Sequence, residues 1–381
     1  MKVLFFCNLV PGKQGSFEDL LTALGWEFKR HGDELVLVLA GKPIPQVAES
    51  FLEAGLRWHV IPDWTADPDE VNPWAFFSPA VNLLVEEHPD VAVVHFGNEL
   101  PSLAACILGR LKGVHAKWVW QQDQQMSDPG VLTAVASKIR LLSAAFDHFV
   151  AVYDGGKQSM VLRGIAEHRI TVVNNSTMAR STNRTAEQVR NNLGVREKAL
   201  IAVSVASLIP RKRLDFIIKA FADAGSASQN AILLVIGDGS ERQSLQSLVS
   251  ELKLEKAVKF LGLRNDVRDI LAAGEMFVHS ATAEACSYAI LESMAAGIPA
   301  LVTDSGAARE QISDGESGFV VERDDFETFT KLLQQLLSDA DSRHKMGEAA
   351  RARWHDRYRT EVSAKKYYDL YRSLAGGESE G

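Results

Sequence analysis

Short runs of consecutive apolar residues recur along the chain, separated by longer stretches in which apolar positions return every three or four residues. The first series is Val3–Cys7, Leu35–Ala40, His59–Pro62, Val91–Phe96, Trp118–Gln121, His148–Val152 and Ile170–Val173. The second is Leu200–Val205, Ile232–Ile236, Val258–Leu261, Met276–Ser280, Ala300–Thr303 and Gly318–Val321. A strand covered on both faces is apolar throughout, and alternation with helical patterns signals a parallel sheet. Two α/β layers of that kind are predicted. The alternation resets in residues 174–199, where NNSTMARSTNRTAEQ is polar and rich in turn formers, and this segment reads as an interdomain linker. Residues 1–173 then form an N-terminal domain and residues 200–355 a C-terminal one. The closing pattern RARWHDRYRTEVSAKKYYDLYRSL is helical, with Trp354, Tyr358, Tyr367 and Tyr371 available for packing. Residues 356–381 read as a helix returning to the N-terminal domain, followed by a frayed tail.

The 381 residues suit two cores, and 46% hydrophobic with 24% charged residues describe an ordinary globular protein. No apolar run approaches the roughly 20 residues that span a bilayer, and MKVLFFCNLV reads as a first strand in preference to a signal peptide. Cys7, Cys106 and Cys286 are far apart and lack zinc-ligand spacing, which points to reduced thiols and a cytoplasmic location, with the inner face of the membrane as the alternative. Net charge is −8, and residues 1–150 hold 11 Lys and Arg against 18 Asp and Glu. An acidic N-terminal half argues against a nucleic-acid partner. It weakens attraction to anionic lipid while leaving peripheral membrane association open. Asp67-Pro-Asp69 sits among turn residues and reads as a solvated loop, so no metal site is expected there.

Ligands of doubly wound sheets bind beyond the carboxyl ends of the strands, so the strand-end loops are where chemistry is expected. In Met276–Ser305 a strand leads to a loop holding Glu284 and then to a helix from about Cys286 to Ala296 that contains Glu292. Ala285, Cys286 and Ser287 are small, which opens the first backbone N–H groups of that helix to an anion such as a diphosphate. Carboxylates suit sugar and ribose hydroxyls because each accepts several hydrogen bonds. Two ordinary glutamates, one in a loop and one on a surface helix, fit the same spacing. Pro210-Arg211-Lys212-Arg213 places three cations at a helix start, against the preference of the macrodipole there. An anionic ligand would relieve that conflict; a solvated basic turn is the other reading. Gly237-Asp238-Gly239 after the strand Ile232–Ile236 lacks the third glycine of a dinucleotide turn.

The pattern Glu284…Glu292 in EACSYAILESMAAGIPALVTD, with VSVASLIPRKRLDFIIKAF, LLVIGDGSERQSL and VKFLGLRNDVRDILAAGEMFV upstream, resembles the retaining family 4 glycosyltransferases. That resemblance covers residues 200–325 closely and the N-terminal half loosely. It implies the GT-B fold, two facing Rossmann-like domains with an interdomain cleft. It also implies transfer with retention from a nucleotide-diphosphate sugar, with a UDP-sugar favoured and GDP-mannose as the alternative, and no obligatory metal or cofactor. The acceptor would be sugar-bearing or lipid-linked. By the same resemblance Lys212 matches the phosphate-binding lysine, Gly237 and Gly239 line the donor pocket, and the backbone near Leu263 meets the nucleobase. Gly15 matches a glycine that approaches the diphosphate from the N-terminal domain. The family's arginine is replaced by Ser207, with Arg211 the nearest substitute. Its N-terminal histidine is absent: Gln122 or Asp123 stands near that position and His95 ends the preceding strand. A GT-B epimerase or phosphorylase, or a nucleotide-binding scaffold without turnover, are the rival readings.

Overall fold

The computed structural model describes residues 1–12, 15–61, 64, 77–95, 99–122, 143–178, 182–196, 198–225 and 230–376. Asp67, Asp69 and Asp123 lie outside the described residues. Among the described residues thirteen strands form where the apolar runs fall. Seven make one parallel sheet: β1 (Lys2–Cys7), β2 (Glu34–Leu39), β3 (Arg57–Val60), β4 (Val91–His95), β5 (Lys117–Gln122), β6 (His148–Ala151) and β7 (Ile170–Val172). Six make the other: β8 (Leu200–Val205), β9 (Ala231–Ile236), β10 (Val258–Gly262), β11 (Met276–His279), β12 (Ala300–Thr303) and β13 (Gly318–Val321). The orders are 3-2-1-4-5-6-7 and 10-9-8-11-12-13, so in each sheet the winding reverses beside its first strand. Such a reversal leaves a crevice at the carboxyl ends of the two strands that flank it. In the first sheet it falls between β1 and β4, where Cys7 pairs with His95. In the second it falls between β8 and β11, where Val203 pairs with Phe277.

The chain divides into a unit of Met1–Met178 with Thr360–Gly381 and a unit of Ala179–Arg359. In the first, Tyr367, Tyr368 and Tyr371 of the helix Thr360–Leu374 enter the core formed with Phe17, Leu20, Leu24 and Phe28 of the helix Ser16–His31. In the second, one core joins Ile217 and Phe221 to Leu233, Val278 and Leu333.

Two sequence expectations change. The segment 174–199 is not a plain linker: Thr185 and Gln188 form a reciprocal capping box that starts the helix Ala186–Asn192, and Val189 of that helix is buried in the second unit. The closing pattern is two helices, Ala340–Arg357 and Thr360–Leu374. Its aromatic residues are accordingly divided. Trp354 and Tyr358 are buried in the second unit, where Tyr358 Oη donates to Glu310 O at 2.6 Å. In the first unit, Thr360 N–H donates to Thr177 O at 3.3 Å and Ser363 Oγ to Asn174 O at 3.0 Å, which fixes the start of the last helix.

Candidate active site

In the second unit three strand-end loops converge backbone to backbone. Gly237 has a φ of 131°, which only glycine adopts readily, and a Cβ there would stand 1.9 Å from Ala206 O. A Cβ on Gly239 would stand 2.4 Å from Leu208 O. The two loops exchange hydrogen bonds, Leu208 N–H to Asp238 O at 2.9 Å and Glu241 N–H to Leu208 O at 2.8 Å. Gly237 N–H donates to Gly262 O at 2.9 Å, which brings in the end of β10. The next residue, Leu263, is 82% exposed. Ser207 is exposed on the loop after β8.

The turn Pro210–Lys212 is fastened to the loop after β11. Ser280 Oγ donates to Arg213 O at 2.6 Å and to Lys212 O at 3.0 Å. Thr282 N–H donates to Arg211 O at 2.9 Å, and Arg211 Nη1 donates to Ala283 O at 2.9 Å. This fastening delivers Lys212 to Glu284, and Lys212 Nζ and Glu284 Oε1 form an ion pair. His279, the last residue of β11, places Nε2 3.3 Å from the same oxygen. Both charged side chains are largely withdrawn from water, at 11% and 14% exposure, and His279 is at 2%. Burial, with Arg211 second, pushes the Lys212 ammonium down to about 8. The Glu284 carboxylate in contact acts in the opposite sense, favouring the charged amine. Burial, then Lys212 and Arg211, push the His279 ring down to about 3, so it is neutral near pH 7.

The three cations before the helix Leu214–Asp223 find partners within the chain. Lys212 meets Glu284; Arg213, in the left-handed region at φ 49°, pairs with Asp324 at 2.9 Å and Asp215 at 3.2 Å. Two of the three cations are therefore met by internal carboxylates, and Arg211 bonds the Ala283 carbonyl. The helix after Glu284 begins at Tyr288, two residues beyond its expected start, with Ser287 as its N-cap. Ser287 N–H is not open as the sequence suggested: Gln311 Oε1 accepts from it at 3.3 Å, while Gln311 Nε2 donates to Ser287 O at 2.9 Å. Ala285 and Cys286 are buried beside it, and Ala307 N–H donates to Ala285 O at 2.6 Å. Glu292 lies on the half-buried side of the helix Tyr288–Ala296.

The remaining sequence candidates belong to the first unit. Gly15 is the N-cap of the helix Ser16–His31, and its N–H donates to Glu18 Oε2 at 3.1 Å. His95 is fully buried, its ring stacked on Phe17 at 4.4 Å between centroids. Gln122 ends β5. Sequence reasoning missed His279, Gln311 and Gly306. The last has a φ of 57° and lies against the carbonyls of Glu284 and Ala285. The only signal for His279 was a polar ring closing an otherwise apolar strand.

Comparison with known proteins agrees with this architecture. The glycosyl transferases group 1 family model matches residues 185–353. N-acetyl-alpha-D-glucosaminyl L-malate synthase of Bacillus anthracis is 29% identical over 194 residues, 51% of each chain. The lipopolysaccharide core biosynthesis glycosyltransferase LpsE of Rhizobium meliloti is 30% identical over 55% of this chain and 58% of its own. The chain thus spans about half the length of the curated relatives it matches. Anabaena Alr3699/HepE, crystallised with UDP, superposes with a TM-score of 0.80 at 18% identity, covering 98% of this chain and 100% of its own. The same protein with UDP-glucose gives 0.77 at 17% identity, covering 98% of this chain and 100% of its own. The fold is GT-B, and residues 185–353 are similar to the glycosyl transferases group 1 family.

Proposed function

We propose that the chain is a glycosyltransferase that moves a sugar, with retention, from a nucleotide-diphosphate sugar to an acceptor hydroxyl in glycan or glycolipid synthesis. A UDP-sugar is the favoured donor and GDP-mannose the alternative. The observation that carries this reading is the buried Lys212–Glu284–His279 cluster at the reversal point of the second sheet, where ligands of doubly wound folds bind. Crystals of a neighbour of the same fold with UDP and with UDP-glucose support the choice of donor. In this scheme Lys212, with Arg211 beside it, stabilises the negative charge that grows on the departing diphosphate. Glu284 holds sugar hydroxyls, and Glu292 the ribose. The N–H groups at the start of the helix Tyr288–Ala296 face the phosphates. The nucleobase lies against the backbone near Leu263. Attack from the face the diphosphate leaves needs no enzyme nucleophile; Gly15 approaches the diphosphate from the N-terminal domain, and His95, Gln122 and Asp123 are the acceptor-side candidates.

Thermal shift of the full chain against UDP, GDP, ADP and their sugars tests the donor class. At a hundred times its Kd a ligand adds about 2.7 kcal/mol of stability, a shift of several degrees. Two substitutions then test the roles. Glu292→Gln should weaken the bare diphosphate, whereas Glu284→Gln should spare it and weaken the intact nucleotide sugar. If both variants bind and turn over like the wild type, the site lies elsewhere. Nucleotide-sugar binding with no transfer or hydrolysis would select the scaffold reading.

A further inference from the structure

We propose that His279 is the positioning residue of the donor site, the group that holds Glu284 in place once Lys212 has left that carboxylate for a diphosphate. The inference rests on the donor-site reading above. Lys212 and His279 both meet Glu284 at Oε1, but they are mounted differently. Lys212 rises from a short turn on a flexible four-carbon stem, and its compact ammonium follows the strongest nearby anion. A diphosphate carries more charge than one carboxylate and draws it away. His279 closes β11, a strand paired on both sides, and its ring lies 6.0 Å from Phe277 at an interplanar angle of 19°. With 2% exposure that ring has no room to follow Glu284. Glu284 sits five residues further on in irregular backbone.

The protonation state suits the task. The charged groups facing the ring are Glu284, Lys212 and Arg211, and the two cations with burial keep it neutral. A neutral imidazole carries one N–H, and contact with a carboxylate assigns that proton to Nε2. His279 then donates to Glu284 Oε1 without adding a cation that would compete for the diphosphate. A carboxylate that lost Lys212 with no second donor would take up a proton more readily and turn freely. One oxygen held by His279 leaves the other to accept from the sugar.

The test uses the full chain with His279→Leu, which removes the donor, and His279→Gln, whose amide nitrogen reaches toward the place of Nε2. Affinity for bare UDP and GDP should fall less in His279→Leu than kcat/KM for the nucleotide sugar, because these complexes lack the sugar contact of Glu284, and should stay within about threefold of the wild type in His279→Gln. For the nucleotide sugar, His279→Leu should lose ten- to a hundredfold in kcat/KM, roughly the range for a hydrogen bond to a charged group. The glutamine variant should recover to within about threefold. The acid limb of kcat/KM should move to higher pH in the leucine variant only, because Glu284 loses a donor that favours its charged form. Equal losses in the two variants with an unmoved limb would assign His279 to packing and overturn the proposal, as would wild-type kinetics in His279→Leu. If the leucine variant fails to fold, His279→Asn, whose amide falls short of Glu284, replaces it against His279→Gln. Equal activity in that pair also overturns the proposal. A wild type that binds no nucleotide diphosphate removes the donor-site reading itself, a result distinct from any of these.

Discussion

Replacing Gly306 by alanine perturbs the site without altering a charged group. A Cβ there would stand 2.1 Å from Glu284 O and 2.3 Å from Ala285 O, against the 3.0 Å that real Cβ contacts essentially never undercut. One loop must therefore retreat by roughly 0.9 Å, in an interior packed too densely to absorb it elsewhere. The hydrogen bond from Ala307 N–H to Ala285 O, at 2.6 Å, ties the two loops together, so the shift reaches Glu284. A misplacement near 1 Å costs a site on the order of 100-fold in rate, or about 2.7 kcal/mol of barrier. The left-handed backbone adds about 1–2 kcal/mol of instability for any residue with a Cβ. Gly315→Ala isolates that second effect, because Gly315 has a φ of 76° with nothing within 4 Å of its added Cβ. The assay is single-turnover cleavage of the nucleotide sugar that gives the largest thermal shift, with melting of each variant alongside. Both variants should melt lower, and only Gly306→Ala should lose turnover by about 100-fold. Equal turnover in the two would refute the reasoning, because contact with Gly306 would then not set the position of Glu284.

Lys212→Ala should lower the single-turnover rate by roughly a hundred- to a thousandfold, the usual cost of removing one fixed donor to developing charge; an unchanged rate would contradict the assignment. Because burial pushes the Lys212 ammonium down to about 8, affinity for bare UDP or GDP should hold below about pH 8 and weaken above it. Calorimetry across pH should find this alkaline limb absent in Lys212→Arg, which stays charged. The folded chain releases that proton before the unfolded chain does, so the contribution of Lys212 to stability increases between about pH 8 and 10.5. Turnover should survive EDTA, and activity abolished by EDTA and restored by manganese would overturn that expectation.

What the sequence revealed and what it hid follow one physical division. A strand such as AILLVI, every residue of which is buried in β9, can be read from composition because both its faces meet helices. Among the described residues β1, β2, β4, β8, β11 and β12 announce themselves in the same way, whereas β3, with no buried residue, does so only weakly. The helix Ala186–Asn192 does not, since it buries one face only and its cue is the pair Thr185 and Gln188 within a polar tract. The break between the last two helices was hidden for a related reason: the aromatic spacing continues across it while the partners change. Site residues divide likewise. Lys212, Glu284, Gly237 and Gly239 stand out by type and position at strand ends. Their mutual contacts do not, because Lys212 and Glu284 are 72 residues apart and meet through the bonds that Ser280, Thr282 and Arg211 make between the turn and the loop after β11. Gln311 is less legible still, since its amide serves the backbone of Ser287 and no charge or motif marks it.

Those internal pairings bear on how the proposed donor would be chosen. With Lys212 held by Glu284 and Arg213 by Asp215 and Asp324, the basic turn does not present three independent cations to solution. An incoming anion must replace Glu284 as the partner of Lys212, and breaking a largely buried pair is costly unless both members gain new partners. A simple anion satisfies Lys212 alone and leaves Glu284 short of a cation. A nucleotide sugar satisfies both at once, phosphate oxygens to the ammonium and sugar hydroxyls to the carboxylate. Selectivity for the intact donor over inorganic phosphate then follows from the ion pair itself, before any contact with the base.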